Sequence, residues 1–280
     1  MKTSHPLHIL LTNDDGHQAP GILALQRVFR QAGHRVSMVA PSTQQSATSM
    51  SVTSRRNLAL EQIGDDSWHL DGQPADTVLV ALRHLLEDSP PDLVLSGINF
   101  GPNVGTAIYM SGTIGAAMMA SLYGVPAIAI SAGMRFDEVT TQFPSTLEAL
   151  GPAAEFVSTV VDSLSSSRDE HGRLLPDNIM LSINYPALPP DQIKGVLHPE
   201  VSSRHLIEMG YRRCDETGHV IPGFFAGVDP EQPHMEDHDI RAHMEGYITI
   251  SAIKPHWNPP ASQSEELRRR LDTLGFDFKN

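Results

Sequence analysis

The feature that most restricts the fold is an alternation, through about residue 135, of short apolar runs with stretches of helical character. HILLT (8–12), HRVSMVAP (34–41), DLVLSGI (92–98) and VPAIAIS (125–131) have the length and branched apolar content of buried strands. Between them lie PGILALQRVFRQAG (20–33), ADTVLVALRHLLED (75–88) and SGTIGAAMMASLYG (111–124). In the first of these, Leu23, Val28 and Phe29 recur near helical spacing, Pro20 suits the first turn and Gly33 closes the last. The third is built of small residues and can lie close to a sheet. Strands apolar on both faces and separated by helices predict a Rossmann-like, three-layer α/β domain with a mostly parallel sheet.

A helix is expected over about 144–166, followed by the polar break SSSRDEHGR and the strand NIMLSINYP. From about 187 to 245 the chain turns rich in Pro, Gly, His and acids without a clear period. That composition predicts an extension of hairpins and loops rather than a separate domain. GYITISAI (246–253) returns to strand, and a helix is expected over about 262–274, with Ser262 and Glu265 spaced for a capping box. All 280 residues then form one domain, its core about 1–186 and 246–253.

Ligands of open parallel sheets bind beyond the carboxyl ends of the strands. Four segments place unusual chemistry there: Asn13-Asp14-Asp15-Gly16, the loop from Pro41 to Ser46, Ser96-Gly97-Ile98-Asn99 running on to Asn103 and Gly105, and Ser111-Gly112-Thr113. Two adjacent acids with no lysine or arginine within four positions raise each other's pKa unless something positive lies between them. Carboxylate, hydroxyl and amide oxygens are hard ligands that suit Mg²⁺ or Mn²⁺. Glycine turns and a free helix N-terminus suit a phosphate, and a divalent ion beside it supplies a hydroxide nucleophile at neutral pH. Taken alone, each segment has a plainer account. Asp-Asp-Gly after a strand is most often a turn, the glycines can serve helix–sheet packing, and Ser46 can be a solvated hydroxyl. The case rests on all four meeting on one rim.

The formal net charge of -13 argues against a nucleic-acid polymer or an anionic membrane as partner, while a bound cation can reverse the sign locally for a small anionic substrate. One cysteine, Cys214, makes no internal disulfide, and the first apolar run is too short for a signal peptide. A soluble cytoplasmic protein is expected.

The motifs ILLTNDDGHQAPGI, VAPSTQQSATSMSVT, DGQPADTV, PDLVLSGINFGPNVG, SGTIGAA, INYPALPPDQIKG and GYITIS, in this order over residues 8 to about 253, resemble the stationary-phase survival nucleotidases, the SurE family. The resemblance implies a metal-dependent phosphatase acting on nucleoside 5′-monophosphates, with 3′-nucleotides or short polyphosphate as further substrates. It implies one Mg²⁺ or Mn²⁺ per subunit on Asp14, Asp15, Ser46 and Asn99. Asp14 and Asp15 are the implied catalytic acids, and Asn13, Asn103, Ser111, Gly112 and Thr113 the phosphate-side groups. Metal-bound hydroxide and direct carboxylate attack both stay open. It further implies a homodimer or homotetramer assembled through the C-terminal extension. The chain departs from the family pattern at Gln45 and Ala47, where an arginine and a glycine are usual, and at Thr106, Ala107 and Met110, where an acidic pair and a tyrosine are usual.

Other classes fit less well. A response-regulator receiver would need its phosphoacceptor aspartate where Gly97 stands. A haloacid-dehalogenase phosphatase needs its two acids one residue apart, and a dinucleotide site needs glycines in the first turn. A non-catalytic, metal-linked nucleotide sensor uses the same ligands and is the alternative function. His234, His238 and His243 with Glu236, Asp237 and Asp239 resemble a second metal cluster in spacing alone, and a solvated segment is the simpler expectation. His17 is expected to cap its turn, and Trp68 and Trp257 to pack.

Overall fold

The computed structural model describes residues 6–215, 217–227, 238–255 and 261–272. Its strands are β1 (His8–Thr12), β2 (Arg35–Pro41), β3 (Leu60–Gly64), β4 (Ser67–Leu70), β5 (Leu93–Phe100), β6 (Ala127–Ala132), β7 (Met180–Tyr185), β8 (Val196–Leu197), β9 (Ile207–Arg213), β10 (Val220–Ala226) and β11 (Ile248–Ile253). Its helices are α1 (Pro20–Gln31), α2 (Pro74–Val80), α3 (Gly112–Leu122), α4 (Pro144–Ser166), α5 (His238–Met244) and α6 (Ala261–Asp272). The main sheet has nine strands in the order β3-β4-β2-β1-β5-β6-β7-β11-β8. The run β4-β2-β1-β5-β6-β7 is parallel throughout, with antiparallel joins only at β3–β4 and β7–β11. This is the predicted α/β architecture.

Strand periodicity divides the core into two layers. Ile9, Leu11, Leu93 and Leu95 point into one layer with Phe29 of α1 and Val157 of α4, while Leu10 and Val94 point into the other with Val78 of α2 and Ile114 of α3. Each such fully buried side chain stabilises the fold by about 1.5–3 kcal/mol relative to leaving it exposed. In α1 the buried face is Ile22, Leu25 and Phe29, spaced i, i+3, i+7, and Leu23 is exposed. Leu23, one residue on from Ile22, sits about a quarter turn off that stripe, so of the apolar residues spaced for a helix it is the one left exposed.

The helix expected over 75–88 stops as α2 at Val80 and continues as one wide turn, Ala81–Leu85, closed by the Leu86 N–H on the Ala81 carbonyl at 2.8 Å. The wide turn keeps Leu82 and Leu86 buried. Strand β3 carries no sequence signature because every residue of it is exposed, and β4 is only four residues long with its two end residues buried. In the extension, β9 and β10 form a separate antiparallel hairpin and β8 adds to the main sheet beside β11. Helix α6 begins at Ala261, so Ser262 lies inside it rather than at its cap. Among the described residues, no helix is long and apolar enough to cross a membrane.

Candidate active site

Strand β1 is buried at every position and delivers Asn13 and Asp14, themselves buried, to the carboxyl rim. Asn13 Nδ2 donates to the Gly16 carbonyl at 2.8 Å, tightening the turn that follows the acids. Its Oδ1 is buried with no hydrogen-bond partner.

Each of the other three segments is tied to the acid pair by a hydrogen bond. From the second loop, Gln45 N–H donates to the Asp14 carbonyl at 2.7 Å, which fixes Ser46 one residue on. From the end of β5, Phe100 N–H donates to Asp15 Oδ2 at 3.0 Å, which fixes Asn99 one residue back. From the first turn of α3, the Thr113 hydroxyl donates to Asp14 Oδ1 in a short bond. Helix α3 also approaches closely because residue 112 is glycine. A Cβ there would lie 2.9 Å from Asp14 Cβ and 3.0 Å from both Asp14 Oδ2 and Pro74 Cγ.

The individual side chains differ in what they leave free. Ser111 caps α3, its Oγ accepting from Ile114 N–H at 3.2 Å, so the N–H groups of Gly112 and Thr113 have no partner within the helix. Asn99 Nδ2 donates to the Gly101 carbonyl at 2.7 Å, and among the described residues nothing bonds its Oδ1. Ser46 is exposed and its Oγ accepts from Gln44 Nε2 at 3.1 Å. Asn103 is buried, with Nδ2 donating to Ser131 Oγ at 2.9 Å and its backbone N–H donating to Asn184 Oδ1 at 2.7 Å.

Burial pushes the Asp14 carboxyl up to about 6. The Thr113 hydroxyl opposes that shift and the neighbouring Asp15 charge adds to it. Burial also raises Asp15, against the pull of Phe100 N–H and Gln44. Neither acid has an ion pair among the described residues. The buried Asp14 carboxylate, the half-buried Asp15 carboxylate, an amide oxygen on Asn99 unpartnered among the described residues and a hydroxyl on Ser46 are hard-oxygen donors of the kind a divalent cation takes, so the residues present fit such an ion. Among the described residues no group of three or more His, Cys, Asp or Glu is placed to hold a metal. His238 and His243 stand at the two ends of α5, while His234, Glu236 and Asp237 lie outside the described residues, as does Trp257.

Some positioning residues carry no motif. Asp239 Oδ2 accepts from Gly105 N–H and Oδ1 from Ser202 N–H, each at 2.8 Å, so α5 braces the asparagine loop against the extension. Only the tertiary structure brings Asp239 next to Gly105. The His17 ring stacks on His69 at 4.8 Å between centroids, and the His17 backbone N–H donates to the Pro41 carbonyl at 3.0 Å. Trp68 packs against the α2–α3 layer.

Fold and rim together define an open, parallel-sheet α/β protein whose polar groups gather at the strand carboxyl ends. The family model for survival protein SurE matches residues 9–208. The chain is 34% identical over 256 residues to the 5′-nucleotidase SurE of Thermosynechococcus vestitus, covering 88% of this chain and 90% of that one. It is 35% identical over 254 residues to the 5′-nucleotidase SurE of Gloeobacter violaceus, covering 89% and 90%. The crystal structure of the SurE protein from Aquifex aeolicus superposes with a TM-score of 0.76 at 28% identity, covering 96% of this chain and all of that one. The chain belongs to the SurE family.

Proposed function

We propose that this protein is a 5′-nucleotidase that hydrolyses nucleoside 5′-monophosphates with the help of one Mg²⁺ or Mn²⁺ held by Asp14, Asp15, Ser46 and Asn99. The observation that carries the proposal is the close approach of Gly112 and Thr113 to Asp14, which sets a helix N-terminus beside one buried carboxylate and its half-buried neighbour, neither in an ion pair among the described residues. The names of the relatives agree with it. The bound ion would offset the two carboxylate charges, polarise the phosphate and lower the pKa of a water on it. The chain's own groups do the rest. The N–H of Gly112, in the first turn of α3, is unpartnered within the helix and suits an anion, while the Thr113 N–H and hydroxyl both serve Asp14. The Thr113 hydroxyl holds Asp14 in one rotamer, and Phe100 N–H holds Asp15 in another place on the same rim. Burial that raises the metal-free Asp14 carboxyl to about 6 is the cost that a bound cation would offset.

Assembly as a homodimer or homotetramer belongs to the same proposal. The β9–β10 hairpin stands apart from the main sheet, and α6 leaves Leu267 57% exposed, so both offer apolar surface for a second copy. The reaction is tested by phosphate release from nucleoside monophosphates with Mn²⁺ or Mg²⁺ added and then chelated, with Asp14→Asn alongside. Metal-dependent release that the variant loses is the expected result. Tight metal-linked nucleotide binding without release would make the protein a sensor instead.

A further inference from the structure

A cavity of about 270 Å³ opens on the same rim, between the ends of β6 and β7, and the chemistry described so far makes no use of it. Pro102, Met134, Phe136, Ala187, Leu206 and His243 are among its lining residues. It holds the volume of about nine water molecules, the scale of a planar ring system rather than of an ion.

Its floor is a buried imidazole. His243 is 9% exposed, its Nδ1 is sealed with no hydrogen-bond partner, and its Nε2 has none among the described residues. A buried lone pair left unpaired costs less than a buried N–H left unpaired, so the proton sits on Nε2. Burial pushes the imidazole down to about 4, which keeps it neutral. Residue 133 is glycine, and a Cβ there would lie 3.0 Å from Nε2 and 2.8 Å from Ala187 N, closing the space in front of the ring. Also lining the cavity, Phe136 is 61% exposed and meets no other aromatic ring among the described residues.

The cavity adjoins the acid site through one shared wall. A Cβ on Gly101 would lie 3.0 Å from Met134 Sδ and 3.9 Å from Asn99 Nδ2, so the residue that lines the cavity and the proposed ligand Asn99 flank the same point. Asp14 follows β1, and the cavity lies two to three strands away, about 10–15 Å at the usual strand spacing. A nucleoside monophosphate whose phosphate lies on the rim on the cavity side of Asp14 can bring the far edge of its base to the nearer cavity wall.

We infer that this cavity is the nucleobase subsite, with His243 Nε2–H donating to a ring nitrogen or carbonyl of the base and Phe136 stacking on its face. The inference rests on the nucleotidase proposal for its substrate and deepens it. Every nucleobase offers such an acceptor and a π-face, so the subsite recognises a base as such and separates nucleotides from base-free sugar phosphates.

The test compares kcat/KM for AMP and for ribose 5-phosphate in the wild-type protein, His243→Leu and Phe136→Ala. Leucine fills the imidazole volume without a polar atom, and Phe136 is exposed, so both variants should fold, which circular dichroism checks. The AMP-to-ribose-5-phosphate ratio is expected to fall about threefold to tenfold in each, the loss of one hydrogen bond or one stacking contact. An unchanged ratio in both folded variants overturns the inference, as does a wild-type ratio near one. Adenosine titrated into metal-free protein and followed by calorimetry gives a readout independent of turnover. Binding that the wild type shows and both variants weaken supports the subsite, and equal or absent binding overturns it. Failure to hydrolyse either phosphate would overturn the nucleotidase proposal alone, leaving the adenosine titration to decide the subsite.

Discussion

His243→Leu should make the protein markedly less sensitive to acid. In the folded chain the imidazole is pushed down to about 4, and burial is the sole cause. Arg135 and Asp137, on the same cavity wall, pair with each other at 2.9 Å, and Asp239, one turn earlier on α5, is committed to backbone N–H groups. In the unfolded chain the ring titrates at its ordinary 6.5. Between these two values the unfolded state binds more protons, so stability falls as pH drops through that window. Integrating the difference gives a loss of about 2 kcal/mol on going from pH 7 to pH 5 and about 3 kcal/mol by pH 4. Urea unfolding of both proteins at pH 7, 6 and 5 isolates the effect, because other groups titrate alike in the two and cancel. At pH 7 the variant should already be at least as stable, since it removes a buried nitrogen with no partner, worth about 1–3 kcal/mol. The gap in its favour should then widen by about 2 kcal/mol by pH 5. A gap independent of pH would refute the neutral, buried imidazole.

Thr113→Val removes the hydroxyl that holds Asp14 and should weaken Mn²⁺ binding about 10–100-fold, measured by calorimetry, with thermal stability reduced by about 1.5–3 kcal/mol. Gly112→Ala places a methyl 2.9 Å from Asp14 Cβ, so overpacking should cost about 1–3 kcal/mol in a urea titration while phosphate release falls disproportionately. Saturating Mn²⁺ at about 100 times its dissociation constant should stabilise the wild-type protein by about 2.7 kcal/mol in thermal unfolding, and Asp15→Asn should lose most of that gain.

What a sequence reveals here follows from the range of the interaction concerned. Strand β1 was legible as a short, continuously apolar run and helix α4 by apolar residues recurring at helical spacing, and Pro20 and Ser111 mark helix starts by local chemistry. The acid pair was legible because adjacent carboxylates with no lysine or arginine within four positions raise each other's pKa unless something positive lies between them. The bonds from Gln45, Phe100 and Thr113 to Asp14 and Asp15 confirm that the four segments meet. Strand β3 was not legible, since an edge strand exposed at every residue carries no apolar period. Helical spacing alone did not tell which apolar residues of α1 are buried, because adjacent residues lie about 100° apart and one step, from Ile22 to Leu23, leaves the buried stripe. Asp239 and His243 were read as members of a charged cluster. Their neighbours Gly105, Ser202 and Gly133 are remote in sequence, and only folding shows one to be a brace and the other a cavity floor.

The central claim is that Asp14 and Asp15 are a metal anchor working on a nucleotide phosphate. Phosphate release from a panel of nucleoside 5′-monophosphates, with Mn²⁺ or Mg²⁺ present and then chelated, tests it most directly when Asp14→Asn is run in parallel. The account predicts release that stops on chelation, returns when metal is restored, and falls more than about 100-fold in the variant, because losing even an outer partner of a metal ligand costs 10–100-fold. Release that persists in chelator and in Asp14→Asn would contradict it and leave the acid pair as a turn.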